Sequence, residues 1–182
     1  MNTERLILDF IQNNLRGDFL DRLMPMISAM GDLAAIWLIL AIYFLLAPGE
    51  RRDGWSIIFA VGIAFVCCSL ILKPMVARIR PCDVNTTVQL LVSHPKDYSF
   101  PSGHTAASFA AVSALYFCRN KWWIPSLVLA VLIAFSRLYL YVHYPTDILA
   151  GALLGIAAGW AGCKIVSRIY SSLSYSRLRH LI

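Results

Sequence analysis

Residues 122–147 read WWIPSLVLAVLIAFSRLYLYVHYPTD. The first twenty of them, 122–141, carry a single charge, Arg137. As a helix rising about 1.5 Å per residue they reach about 30 Å, the thickness of a bilayer's hydrocarbon core. The run stops at the turn His143-Tyr144-Pro145-Thr146, and a second apolar run, 147–166, begins at Asp147. Pro145 suits a helix start, where a missing N–H removes no hydrogen bond. The stretch therefore predicts two membrane-spanning helices joined by a tight turn that carries a histidine.

Working outward, the same apolar pattern recurs at 32–47, 55–72 and 102–118. Charged turns separate these runs at 48–54 and at Arg119-Asn120-Lys121. The expected fold is all-α: a polytopic membrane helical bundle of about five spans in one domain, residues 1–182. Composition agrees, with 59% hydrophobic and 14% charged residues, against about 45–50% and about 25% in soluble domains. Residues 1–31 are expected to hold interfacial helices, because 3–15 place Leu8, Ile11 and Leu15 at helical spacing. A helix lying on the protein's own surface would show the same pattern. Gly151, Gly155 and Gly159 recur every four residues in the last span. This spacing favours close helix packing within the bundle over a dimer interface. Met1-Asn2-Thr3-Glu4-Arg5 lacks a secretory signal pattern, so insertion is expected through the chain's own spans.

Alternating spans put the 74–100 loop and the 142–146 turn on one side. Arg51, Arg52, Arg119, Lys121, Lys164, Arg168, Arg177 and Arg179 fall on the other, near the tail that ends with His180. The loop side holds eight basic residues as well, of which Lys73, Arg80 and Arg137 are site candidates. Setting these aside leaves eight against five, which places the loop outside the cytoplasm of a cell-membrane protein. No basic stripe suits nucleic acid, whereas membrane lipids fit cations at span ends. Five scattered cysteines without a CxxC indicate neither a disulfide framework nor a zinc site, and His94 reads as an ordinary loop residue.

Three clusters at span ends carry chemistry. Lys73 and Arg80 are seven residues apart, hence on one face if the helix persists. By themselves such cations also snorkel to head groups. Pro101-Ser102-Gly103-His104 opens a helix whose free N–H groups and positive dipole end suit an anion. Ser102 offers a hydroxyl, Gly103 a bare backbone, and His104 a proton. Arg137 near a span end, His143 in the turn and Asp147 four residues later complete the set. A carboxylate beside a histidine fixes its tautomer and stabilises its charge. Three cations, two histidines, a carboxylate and a helix end suit phosphoryl transfer, where catalysis is mostly positioning and charge stabilisation. Asp147 makes His143 the nucleophile and leaves His104 as the acid. A proton relay would instead place charges near the bilayer midplane. A metal centre on His104, His143 and Asp147 would face repulsion from the surrounding cations.

Lys73-x6-Arg80-Pro81, Pro101-Ser102-Gly103-His104 and Ser136-Arg137-x5-His143-x3-Asp147 together resemble the three signature motifs of the type-2 phosphatidic acid phosphatase superfamily. Every signature position is present, in order, over residues 73–147. The resemblance implies a metal-independent phosphatase that works through a phosphohistidine and needs no cofactor. It implies lipid phosphates or diphosphates as substrates, with undecaprenyl diphosphate favoured over phosphatidylglycerol phosphate and phosphatidic acid. Transfer of the phosphoryl group to another lipid would use the same motifs. Better-known membrane members place one more span ahead of the first motif, where this chain has residues 3–31.

Overall fold

The computed structural model describes residues 3–179, with side chains to residue 172; His180 lies outside the described residues. All regular structure among them is helical: α1 (Thr3–Asn14), α2 (Asp18–Met30), a 3₁₀ turn (Asp32–Ala34) and α3 (Ala35–Leu46). Then come α4 (Arg51–Phe65), a π-helical stretch (Val66–Leu72), α5 (Lys73–Val76) and α6 (Pro81–Val84). The chain closes with α7 (Gly103–Phe117), α8 (Trp123–Tyr139) and α9 (Pro145–Arg179).

Helices α4, α7 and α9 pack on one another at the centre, with α3 against α4 and α8 against α7. Small residues permit this approach. A Cβ added at Gly155 would lie 2.5 Å from the Ala106 carbonyl oxygen, and one at Gly159 would lie 2.5 Å from Ser113 Cβ. The glycine stripe thus seats α9 on α7 inside the bundle. Gly155→Val should destabilise the protein by about 1–3 kcal/mol, because the wall it meets is helix backbone that cannot yield. Thermal unfolding in detergent checks this, with Gly62→Ala on an open helix face as the control.

Two helices among the described residues, Arg51–Val84 and Pro145–Ser172, are long and apolar enough to cross a membrane. A third crossing results if Asp18–Met30 and Asp32–Leu46, bent by 52°, form one broken span. The expected count of about five is therefore not reached by length and composition. Run 32–47 loses its start to a break in which Leu33 and Ala34 adopt positive φ of 51° and 57°. Helix α8 is apolar but has 17 residues.

The N-terminal segment packs against the bundle through part of its apolar stripe. Leu8 and Ile11 are buried against Cys82, Tyr141, Tyr144, Met24 and Tyr139, as the surface-packed alternative expects. The neighbouring Leu6, Ile7 and Phe10 are the exposed ones. Polar contacts hold α1 in place: Gln12 donates to the Tyr139 carbonyl at 2.7 Å, and Tyr141 donates to Asp9 at 2.6 Å. One side of this helix is packed on the protein and the other leaves Leu6, Ile7 and Phe10 outward. It sits beside the turn that carries His143.

Candidate active site

Every site residue stands at a helix end, where the ladder of backbone hydrogen bonds runs out and side chains can converge. After α4 the helix widens into a π turn before Lys73, a geometry common at functional sites. Ala77, at φ 46°, then stops it. Lys73 and Arg80 therefore do not share a continuous helical face, as their spacing suggested. The loop between α6 and α7 brings them together instead. Arg80 donates from Nε to the Asp97 carbonyl (2.8 Å) and from Nη2 to Asp97 Oδ1 (2.6 Å) and the Tyr98 carbonyl (3.3 Å). Its Nη1 donates to the Val142 carbonyl at 2.7 Å. One guanidinium thus ties the loop to the histidine turn.

Six of the eight expected residues, Lys73, Arg80, Gly103, His104, Arg137 and His143, line one cavity of about 640 Å³. The other two stand behind its wall. Ser102, expected among the phosphate contacts, is fully buried. Its hydroxyl oxygen accepts from the Thr105 hydroxyl (2.9 Å) and backbone N–H (3.4 Å), capping α7. A hydroxyl in the N-cap position accepts from the helix it starts and keeps its own O–H to donate. The Ser102 N–H donates to the Asp147 carbonyl at 3.1 Å, locking the start of α7 to that of α9.

His143 is 1% exposed. Its Nε2 lies 3.2 Å from Arg80 Nη1. A guanidinium can only donate, so Nε2 must present its lone pair and the ring proton must sit on Nδ1. Nδ1 has no hydrogen-bond partner but lies 3.6 Å from Asp147 Oδ2. Burial, reinforced by the positive charges of Arg80 and Arg137, pushes the His143 pKa down to about 3, with Asp147 opposing. The imidazole is accordingly neutral through the physiological range.

Asp147 is completely buried and gathers donors: Arg78 Nη1 (2.6 Å), the Ser99 hydroxyl (2.5 Å) and the Tyr144 N–H (2.8 Å). Arg78 also reaches Glu4 (2.5 Å) and Thr146 (2.7 Å), and stacks 4.0 Å above the Tyr144 ring. Arg78 and Ser99 were not singled out by the sequence, although Arg78 lies in the same basic cluster as Arg80.

Arg137 is buried, donates from Nη1 to the Ser28 hydroxyl, and leaves its Nε without a partner. His104 Nε2 lies 2.8 Å from Asp32 Oδ1. Lys73 donates to Asp97 Oδ2. Burial disfavours the charged form of Asp97, but the hydrogen bonds and charges of Lys73 and Arg80 prevail and hold its pKa at about 2. Asp32 and Asp97 had no motif to reveal them, since they lie 72 and 24 residues along the chain from the His104 and Lys73 they meet. His94, read as an ordinary loop residue, lines the cavity rim and pairs with Asp83 at 2.7 Å.

A second, apolar cavity of about 540 Å³ adjoins the first and shares Lys73, Asp97, Gly103 and His104 with it. Leu33, Leu38, Val61, Gly62 and Phe65 line its far part. A charged pocket thus opens directly onto an apolar groove between α3 and α4.

Cations around a neutral buried histidine, next to an apolar groove in a helical bundle, define an enzyme that handles phosphate carried on a lipid. The chain belongs to the PAP2 superfamily, which residues 53–171 match. Over 149 residues it is 34% identical to an undecaprenyl-diphosphatase of Sulfolobus acidocaldarius, covering 81% of this chain and 71% of that protein. It is 33% identical over 133 residues to a decaprenylphosphoryl-5-phosphoribose phosphatase of Mycobacterium tuberculosis, covering 73% of each chain. The crystal structure of Aquifex aeolicus LpxE superposes with a TM-score of 0.75 at 26% identity, covering 90% of this chain and 96% of that one. The protein is a membrane phosphatase of this family, acting on lipid-linked phosphate.

Proposed function

We propose that the protein hydrolyses a polyprenyl diphosphate, with undecaprenyl diphosphate the favoured substrate, through a phosphohistidine on His143 and without a metal ion. The observation that carries this reading is the setting of His143: Nε2 lies 3.2 Å from Arg80 in the cation-lined cavity, and Nδ1 lies 3.6 Å from Asp147 on the other side of the ring. Nε2 attacks the terminal phosphorus, and the bond from phosphorus to the bridging oxygen breaks. His104 gives its proton to that oxygen, so the lipid monophosphate leaves. Lys73, Arg80, Arg137 and the Gly103 N–H hold the equatorial oxygens as charge spreads over them. Ser102 adds its hydroxyl to the phosphate contacts and also fixes the start of α7. As positive charge develops on the imidazole, the 3.6 Å separation from Asp147 shortens into a charge-assisted hydrogen bond. His104, now neutral, takes a proton from water, and the resulting hydroxide displaces the Nε2–phosphorus bond. Inorganic phosphate and free His143 result.

The apolar groove supports a long hydrocarbon tail, and both relatives described above are named for polyprenyl-linked substrates. With Lys73, Arg80 and Arg137 set aside as site residues, the basic residues at the opposite helix ends outnumber those on the site's side eight to five, which supports an extracytoplasmic site. Release of phosphate from undecaprenyl diphosphate, phosphatidylglycerol phosphate and phosphatidic acid, measured in chelator, tests the assignment. Preference for the first is expected. Activity only with added divalent metal would overturn the metal-free step, and preference for a glycerolipid would overturn the substrate.

Gly62 offers a separate check on the groove. A Cβ there meets nothing within 4 Å, so a larger side chain enters the groove without disturbing the helix. Gly62→Leu should raise KM several-fold for the long-chain substrate while leaving a short, water-soluble phosphate ester unaffected.

A further inference from the structure

Asp97 stands where the reaction above needs phosphate oxygens. Its Oδ2 accepts from Lys73 Nζ, and its Oδ1 accepts from Arg80 Nη2 at 2.6 Å. It lines both the charged cavity and the apolar groove. The donors it occupies are those assigned to the substrate, and a given N–H cannot serve a carboxylate and a phosphoryl group at once. Asp147 differs in both respects. It is wholly buried behind the wall and gathers its donors from several elements, as a permanent structural partner does. The Asp97 side chain is 56% exposed, on a loop. If released, it passes straight into water and loses little hydration. Arg137, the third cation, makes no carboxylate contact shorter than 4.0 Å among the described residues, and its Nε is unsatisfied. Asp97 therefore sits as a two-point anion on two of the site's three cations.

We infer that Asp97 is a resident anion: its carboxylate fills the phosphate position of the empty enzyme, swings out when substrate binds, and returns as inorganic phosphate leaves. This rests on the assignment of Lys73 and Arg80 to phosphate. Asp97 is a positioning residue that acts through those two cations. It keeps them converged between turnovers and sets how tightly any phosphate is held. Apparent affinity is reduced by the fraction of enzyme in the competent, Asp97-out state. An occupancy of about 90–99% for the inward state lowers phosphate affinity about 10- to 100-fold by that relation. In return, product leaves a site that would otherwise grip it with three cations.

The test is binding of orthophosphate to the purified full-length protein by calorimetry, with steady-state kinetics on the lipid substrate. Asp97→Asn should tighten the phosphate Kd about 10- to 100-fold, lower KM in parallel, and leave kcat no higher than before. Asp97→Glu, which keeps the charge, should stay close to wild type. A supporting ion pair predicts the opposite sign, because cations left without a partner spread apart and phosphate binds more weakly. Unchanged or weaker binding in Asp97→Asn therefore overturns the inference. A second measurement needs no variant: saturating phosphate should accelerate hydrogen exchange in residues 94–99 of the wild type as the loop lets go, and protection there would overturn the inference. Should the wild type bind no phosphate and hydrolyse no lipid phosphate, the site assignment falls and this inference with it. Should it do both while Asp97→Asn fails to tighten binding, this inference alone falls.

Discussion

His143→Ala should lower turnover of the lipid substrate by about 10^4-fold or more, the scale seen when a covalent nucleophile is removed. The reason lies in the ring's surroundings. Nε2 carries the ring's lone pair, which meets an Arg80 N–H at 3.2 Å and is freed for attack as that N–H turns to phosphate, and burial keeps the ring neutral. The other side-chain nitrogens lining the cavity belong to cations or to His104 and His94, whose Nε2 atoms pair with Asp32 and Asp83. The same variant should still bind orthophosphate, because Lys73, Arg80 and Arg137 remain. Rapid acid-free quenching of wild-type turnover of a substrate labelled in its terminal phosphate should trap label on the protein as an acid-labile adduct, which the variant cannot form. A variant that keeps full activity, or that still becomes labelled, would remove His143 from the nucleophile's role.

Asp147→Asn should act almost as strongly, lowering kcat by about 10^2- to 10^4-fold with a smaller change in KM. In a Ser-His-Asp protease, replacing the buried aspartate by asparagine costs about 10^4 in kcat, because the histidine is left in the wrong tautomer. Here the carboxylate faces Nδ1 at 3.6 Å and is fully buried, so its charge is felt in a medium that screens poorly. An amide brings one acceptor oxygen and an NH2 group to a place where Arg78, Ser99, Tyr144 and His143 all present N–H or O–H groups. At least one donor then faces another donor. Arg78 keeps Glu4 as a partner, which moderates the cost; a loss of about 2–4 kcal/mol in stability is expected. Thermal unfolding reads the stability term and saturating kinetics reads the chemical one. A fall in KM-limited rate alone, with kcat intact, would show that Asp147 serves binding rather than the imidazolium.

Much of the site was legible because its residues lie at the ends of apolar runs, and those ends are written locally. Hydrophobic periodicity marks where α7 begins and α8 ends, and Pro145 marks the start of α9. His143 and Asp147 are four residues apart at such an end, so their meeting needs only a turn and the first coil of a helix. The convergence of Lys73 with Arg80 was anticipated for a different reason from the one found. Their spacing suggested one helical face, whereas a break at Ala77 and the carbonyls of Asp97, Tyr98 and Val142 set Arg80 in place. The Ser102 hydroxyl has a role that its motif position does not state: it also caps an unpaired N–H at the start of α7.

The sequence by itself determined an all-helical membrane chain, the three clusters at its helix ends and the phosphoryl chemistry they suit. Each of these depends on short-range patterning: apolar runs, charges where the runs stop, and caps. Only the tertiary structure decided that Asp97, Asp32, Arg78 and Ser99 belong to the site, that α1 is packed on the protein beside the histidine turn, and that an apolar groove opens onto the charged cavity. These features arise where segments distant along the chain meet, as when Asp97 reaches Lys73 or Glu4 reaches Arg78. Such a pairing leaves no periodic trace, because nothing in a loop's own sequence states which distant cation its carboxylate will neutralise.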